Sequence, residues 1–292
     1  MAGGEGTPAE AIEGEGTLTG VQKPWMQAAP SLRPFLFRDH LRFHVEGPSR
    51  AWVQPAEATV TSLIEVEEPM RVNGVRLPQA WISGPSIQPD LVELGRAHDS
   101  LDLKFTPLGA YSLIGLPLRH LTREIVGLDD LFGRTGIDLA DRLLEAQSLE
   151  RRVEILEDFL LHRAAKGKVP TPAVAYAWQR LTVTAGRVPI AKLADELSMS
   201  RRHLTASFHE QIGLSPKKAA RLLRFARVRD EMQHAPVRWA ELAQECGYVD
   251  QSHLHRDFRD FAATTPTAFL GSRASRTDSA AHEPSFRTRQ DV

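Results

Sequence analysis

Residues 190–216 read IAKLADELSMSRRHLTASFHEQIGLSP, and residues 239–266 read WAELAQECGYVDQSHLHRDFRDFAATTP. The second stretch repeats the first. Ile190, Leu193, Ala194 and Leu197 are matched 49 residues later by Trp239, Leu242, Ala243 and Cys246, and Leu204, Phe208 and Pro216 are matched 50 residues later by Leu254, Phe258 and Pro266. Self-similarity at one period means that a single supersecondary unit is used twice, and the change of offset puts one added residue in a turn.

Each unit has a short helix with apolar residues at i, i+3, i+4 and i+7, a break, and a second helix whose inward face carries Leu and Phe at i and i+4. This is the layout of a helix-turn-helix. In the first unit Ser198-Met199-Ser200 makes the break, and Ser200 is placed to cap the second helix with its hydroxyl. In the second unit Gly247 supplies a left-handed residue and Asp250 is the N-cap. Gly213-Leu214-Ser215-Pro216 stops one helix and starts the next, with Ser215 as cap and Pro216 at the first helical position.

The second helix of such a unit fits the ~12 Å major groove of DNA, and its outward residues become the readers. With Leu204 and Phe208 inward, Arg201, Arg202, Thr205 and His209 face outward; with Leu254 and Phe258 inward, Gln251, Ser252, His255, Arg256 and Arg259 do. Arg donates two hydrogen bonds to guanine, Gln pairs with adenine, and Ser or Thr serves base or phosphate. The helix between the units, about Pro216 to Met232, carries Lys217, Lys218, Arg221, Arg224, Arg227 and Arg229 as candidates for phosphate or for an acidic partner, with Lys217 and Lys218 assigned to DNA. Leu204, Phe208, Leu254, Phe258 and Trp239 are read as core. Cys246 is read as a small buried hydrophobe, and His203 and His253 as partly packed structural residues.

Charge divides along the same line. The net charge of −1 is near neutral, but residues 1–169 hold 18 Lys and Arg against 24 Asp and Glu, whereas residues 170–276 hold 16 against 10. The basic half is the one suited to a polyanion. Opposite signs would also let the two halves attract each other.

Upstream of the repeat, about Leu32 to Lys104 shows short apolar stretches, including Thr59 to Ile64 and Ala80-Trp81-Ile82, bounded by Pro55, Pro69, Asn73-Gly74, Pro78, Gly84-Pro85 and Pro89. That spacing predicts a small all-β barrel or sandwich. Helical period follows around Ala110 to Leu113, Leu118 to Ile125, and Ile137 to His162, the last broken near Gln147-Ser148. The fold class expected is α+β: a small β-barrel or sandwich followed by helices, then an all-α domain with two helix-turn-helix units on a long helix. The expected organisation is a disordered arm over 1–20 and a sensory or dimerisation domain over 21–165. A linker over 166–172, rich in Pro and Gly, precedes the double helix-turn-helix domain at 173–271 and a disordered tail at 272–292.

Composition and motifs exclude other classes. A chain of 292 residues with 42% hydrophobic and 25% charged residues reads as two ordinary globular domains. No apolar run approaches a membrane span and the start does not resemble a signal peptide, so the expected location is cytoplasmic with no membrane partner. One cysteine excludes an intramolecular disulfide and a four-cysteine metal site. His40, His44, His98 and His120 are scattered, with no His-x-His pair, no Gly-x-Ser-x-Gly and no phosphate loop; no catalytic residue, metal or cofactor is expected.

The repeat resembles the AraC/XylS family of transcription regulators over about Ala173 to Leu270. The closest correspondence lies at Leu242-Ala243, Cys246-Gly247-Tyr248, Ser252-His253-Leu254, Phe258 and Thr265-Pro266. Ala263 stands where that family usually has glycine, and Ala206 where many members carry a longer groove-facing side chain. Phe105 to Ala110, Leu113 to Pro117 and Leu121 resemble a segment of one subgroup with a cupin-like sensory domain. The resemblance implies a sequence-specific binder of double-stranded DNA that is a homodimer, with a small-molecule effector and RNA polymerase as further possible partners. The helices Ile137 to His162 are the expected dimer surface. Which effector, and whether transcription rises or falls, stays open at this point. The alternative is an effector-binding or protein-interaction protein whose basic half docks on its own acidic half.

Overall fold

The computed structural model describes residues 25–37, 40–44, 50–65, 69–95, 100–232 and 237–274. The arm expected over 1–20 lies outside them, as does all of the expected tail beyond residue 274.

Among the described residues, ten strands make two antiparallel sheets. They are β1 Trp25–Gln27, β2 His40–His44, β3 Arg50–Gln54, β4 Val60–Glu65, β5 Arg71–Val72, β6 Val75–Arg76, β7 Ala80–Ser83, β8 Asp90–Leu94, β9 Ser100–Phe105 and β10 Ile125–Gly127. The larger sheet runs β1-β2-β9-β4-β7-β10 and the smaller β3-β8-β5-β6. The punctuation foreseen in the sequence makes the turns: Asn73 and Gly74 both take positive φ, +51° and +79°, as a two-residue hairpin between β5 and β6 requires. Strand β4 is buried on both faces, because alternate residues meet different layers. Leu63 packs with Trp81, Met70, Val72 and Val92 between the sheets, whereas Val60 and Ile64 join Leu103 and Phe105 on the side covered by helices.

Those helices are α1 Pro107–Ile114, α2 Leu128–Phe132, α3 Arg134–Glu145 and α4 Leu149–Ala165. The break expected near Gln147-Ser148 is present, with the Ser148 hydroxyl accepting from Arg151 N at 3.2 Å to start α4. Leu139, Leu143, Val153, Leu156 and Leu160 form the buried stripe. The helix expected over Leu118 to Ile125 is not there. A 3-10 turn spans Leu118–His120, and β10 then adds to the edge of β7 in the register Ile125↔Ser83. Pro117 and the β-branched pair Ile125-Val126 favour extended backbone, and an unpaired sheet edge satisfies it. The segment that resembles the cupin-like subgroup runs from the end of β9 through α1 into the 3-10 turn. A Cβ on Gly109 would lie 2.2 Å from the Phe35 carbonyl oxygen, and Gly115 closes α1 at φ +76°.

Among the described residues, seven further helices follow: α5 Pro172–Val183, α6 Ile190–Glu196, α7 Arg201–Ile212, α8 Pro216–Glu231, α9 Trp239–Glu245, α10 Gln251–Ala262 and α11 Pro266–Ala274. Their core is Phe208, Phe225, Phe258 and Phe261, each at most 2% exposed, with Leu181, Leu193 and Leu204 around them. Phe225 meets Phe258 edge-on at 5.0 Å between ring centroids and Phe261 at 5.4 Å. The β-rich half packs directly on this core. Ala56 is buried within it, Ala56 N donates to the Phe261 carbonyl at 2.7 Å, and Glu57 pairs with Lys104 at 2.7 Å and with Arg229 at 3.5 Å.

Candidate nucleic-acid interface

The internal repeat is reproduced hydrogen bond by hydrogen bond. Met199 N donates to Ala194 O at 2.9 Å, and Tyr248 N donates to Ala243 O at 2.8 Å, all matched at the 49-residue offset. The residue at the left-handed position of each turn is Ser198, φ +51°, in one unit and Gly247, φ +80°, in the other. The caps come next, and they are offset by 50: Ser200 accepts from His203 N at 3.2 Å and Asp250 from His253 N at 2.7 Å. The added residue is therefore Val249, which is 81% exposed in the second turn. At the far ends Gly213 and Ala263 both take positive φ, and Ser215 and Thr265 cap α8 and α11 at 3.4 Å and 3.3 Å.

This geometry aims the two second helices. Leu204 and Phe208 on α7, and Leu254 and Phe258 on α10, are fully buried, so the opposite faces are presented outward. Arg201, Arg202 and His209 are exposed and Thr205 half-buried on α7; Gln251, Ser252, Arg256 and Arg259 are exposed and His255 half-buried on α10. The α10 set converges, with Gln251 Nε2 at 3.3 Å from His255 Nε2 and the His255 ring edge-on to Trp239 at 6.4 Å. Trp239 itself is only partly buried, because it packs at the rim of α9 rather than in the core. His203 is exposed, not partly packed as its place beside Leu204 implies, whereas its counterpart His253 rests edge-on against Tyr248 at 5.2 Å. No aromatic ring occupies the corresponding turn of the first unit, where Met199 stands in place of Tyr248. Ala206 is exposed and leaves a short side chain on the outward face of α7.

The cations of α8 divide into two groups. Lys217 and Lys218 are exposed at its start. The arginines further along are engaged within the fold. Arg221 clamps Asp257, which is fully buried, and Asp260 at 2.7 Å, with its guanidinium 4.7 Å from the Phe261 ring. Arg224 donates to the Gly186 carbonyl at 3.2 Å, Arg227 pairs with Glu231 at 2.6 Å, and Arg229 reaches Glu57. Asp257 escaped the sequence reading because a carboxylate beside Phe258 looks like one more polar residue on a charged helix. Its buried position follows from the spacing Leu254, Asp257, Phe258, Phe261, which is an inward stripe. Gln211 was missed for the same reason: it is 4% exposed and its Oε1 accepts from Thr171 N at 2.9 Å, tying the start of α5 to α7.

His209 and Cys246 are two side chains of this domain with shifted pKa values. The His209 ring is held below its ordinary pKa by partial burial first, then by Lys218 and by Arg119 of the β-rich half. Burial pushes the Cys246 thiol up to about 11, consistent with a packed, unreactive side chain.

Residues 193–272 match a protein family described as "Helix-turn-helix domain". They form a helix-turn-helix domain of the AraC/XylS family. The AraC/XylS domain is similar to the HTH-type transcriptional activator RhaS of Shigella boydii, 31% identical over 70 residues, which are 23% of this chain and 25% of that protein. RhaS of Escherichia coli is 31% identical over 67 residues, 23% of this chain and 24% of that protein. The chain thus aligns with about a quarter of the length of these curated relatives. Among solved structures, ToxT from Vibrio cholerae has a TM-score of 0.46 at 13% identity, covering 79% of this chain and 98% of that one. The DNA-binding domain of AdpA, solved with a target DNA, has a TM-score of 0.32 at 22% identity, covering 37% and 95%. Among the described residues, no helix is long and apolar enough to cross a membrane.

Proposed function

We propose that the chain is a sequence-specific transcription regulator that enters two successive major grooves with α7 and α10. The observation that carries this reading is the duplicated turn-and-cap geometry, which leaves Arg202 and Arg256 exposed on equivalent helices above one shared core. A second helix held this way is the element that reads base edges, and two on one chain suit successive major grooves about 34 Å apart. Arg201, Arg202, Thr205, His209, Gln251, Ser252, His255, Arg256 and Arg259 are the assigned groove residues, and Lys217 and Lys218 the assigned phosphate contacts. The activity needs no catalytic step or cofactor. The assigned organisation keeps a sensory and dimerisation domain over 21–165, a joining segment over 166–172 and the DNA-binding domain over 173–271. The chain is assigned to the cytoplasm as a homodimer whose β-rich half answers to a small effector and whose bound form engages RNA polymerase. The similarity to activators favours raised transcription.

The contact of Glu57 with Arg229 gives the docking alternative a footing, and that of Arg119 with Glu210 joins the halves with the signs reversed. They leave both recognition faces exposed, so docking and DNA binding are compatible. Selection from a random duplex pool by the full chain tests the reading: one enriched sequence is expected, and an unchanged pool after successive rounds overturns it.

A further inference from the structure

The 3-10 turn Leu118–His120 belongs to the β-rich half, yet it lies against the end of the first recognition helix. Leu118 is fully buried, and Thr122 Oγ1 donates to the Gly213 carbonyl immediately beyond α7. A Cβ built on Gly213 would come within 3.1 Å of the Leu118 carbonyl oxygen, so the two backbones meet with almost nothing between them. A turn pinned in this way fixes where its exposed side chains emerge.

One of those side chains is Arg119. Its guanidinium reaches Glu210 at 4.0 Å, with the two side chains 42% and 46% exposed. An ion pair at that distance and exposure is weak and leaves most of the five guanidinium donors facing solvent. The preceding residue on α7 is His209, already assigned to the DNA-facing surface; Lys218, at the start of α8, and Arg119 both help to hold its pKa down. Cations from both halves of the chain therefore act on the end of α7. Intramolecular pairing accounts for Arg221, Arg224, Arg227 and Arg229, but among the described residues leaves this group with one loosely held carboxylate, Glu210. Like charges gathered at a surface are matched by a polyanion from outside.

We propose that Arg119 of the β-rich half is a DNA-backbone contact, which together with Lys218 and His209 holds a phosphate at the flank of the groove entered by α7. The inference rests on the DNA-binding reading above and extends its surface beyond the AraC/XylS domain. A guanidinium offers parallel donors to two phosphate oxygens while Lys218 supplies a point charge, so the two cations complement each other on one anion. It follows that the docking of the β-rich half on α7 adds directly to affinity, and that any movement of that half withdraws a contact from DNA.

The test is fluorescence anisotropy of the full-length protein with a labelled duplex of one arbitrary sequence, titrated at salt from about 50 to 200 mM. Each phosphate neutralised contributes about 0.9 to the slope of log affinity against log salt. Arg119→Ala is expected to reduce that slope by about 0.9 and to weaken binding about eightfold at 0.1 M salt. Arg119→Lys is expected to keep the slope, and Glu210→Gln to bind at least as tightly as the parent. A parental slope in Arg119→Ala, with a reduced one in Lys218→Ala, overturns the proposal and leaves the DNA reading standing. Weakening by Glu210→Gln equal to that of Arg119→Ala also overturns it, since Arg119 would then act only through Glu210. A parent protein with no salt-dependent binding overturns both readings together.

Discussion

Ala263 sits at φ +51° in the position that Gly213 fills, at φ +81°, in the first unit, so the fold tolerates a side chain where the backbone prefers none. A left-handed conformation costs an alanine about 1–2 kcal/mol, against an entropic cost of about 0.5–1 kcal/mol for glycine. Ala263→Gly is therefore expected to raise stability by about 0.5 kcal/mol, read as a higher denaturant midpoint with unchanged slope. A different residue sets a pH dependence. Glu65 is 1% exposed between the sheets, its Oε2 accepts from Met70 N at 2.6 Å, and burial raises its pKa from 4.5 to about 7 against the lowering effect of Met70 N and Trp81. The folded chain keeps a proton there that the unfolded chain releases, so stability falls as pH rises from 4.5 toward 7 and is level above that. Glu65→Gln should exceed the parent by about 2 kcal/mol at pH 8, with the gain shrinking as pH falls through that window; a gain independent of pH would show that Glu65 does not titrate there.

At the scale of elements, Asp257 holds α10 to α8. Its carboxylate is fully buried while Arg221 is 31% exposed, so removing it leaves Arg221 to the exposed Asp260 and opens a buried gap. Asp257→Ala is expected to cost about 2–4 kcal/mol in thermal or chemical denaturation, more than any exposed groove residue. The two helices it joins were legible from the sequence because the stripe Leu254, Phe258 repeats Leu204, Phe208, and the caps Ser200, Asp250 and Ser215 stand at the predicted boundaries. The clamp itself was not legible, since nothing in the spacing of Arg221 and Asp257, 36 residues apart, says that they meet. The same holds for β10. Local periodicity over Leu118 to Ile125 reads as helix, and only the free edge of β7, brought close by the sheet, turns Ile125-Val126 into a strand. Patterns within one element were readable, and pairings that depend on the assembled tertiary neighbourhood were not.

At the scale of the whole molecule, the β-rich half is joined to both helix-turn-helix units, through Thr122 to the end of α7 and through Ala56 to the end of α10. The charge division over the chain foresaw two halves of opposite sign, but beside the Glu57–Arg229 and Arg119–Glu210 ion pairs the halves are joined by the Ala56 and Thr122 hydrogen bonds and by apolar side chains, which carry no charge signal. The outward surfaces of α3 and α4, where a dimer contact is assigned, are mostly charged, with Ile137 48% and Leu161 37% exposed among them. Sedimentation of the full chain is expected to give a dimer that weakens when Ile137 becomes Glu; a monomer at micromolar concentration would remove that assignment. The claim on which the rest depends is that one chain reads DNA with two helices. Repeating the random-pool selection with Arg202→Ala and with Arg256→Ala tests it most directly. Each variant should lose about 1–3 kcal/mol of discrimination at a single base position, and the two positions should lie about 10 base pairs apart. Enrichment of the parental sequence, undiminished at every position, by either variant would contradict the account.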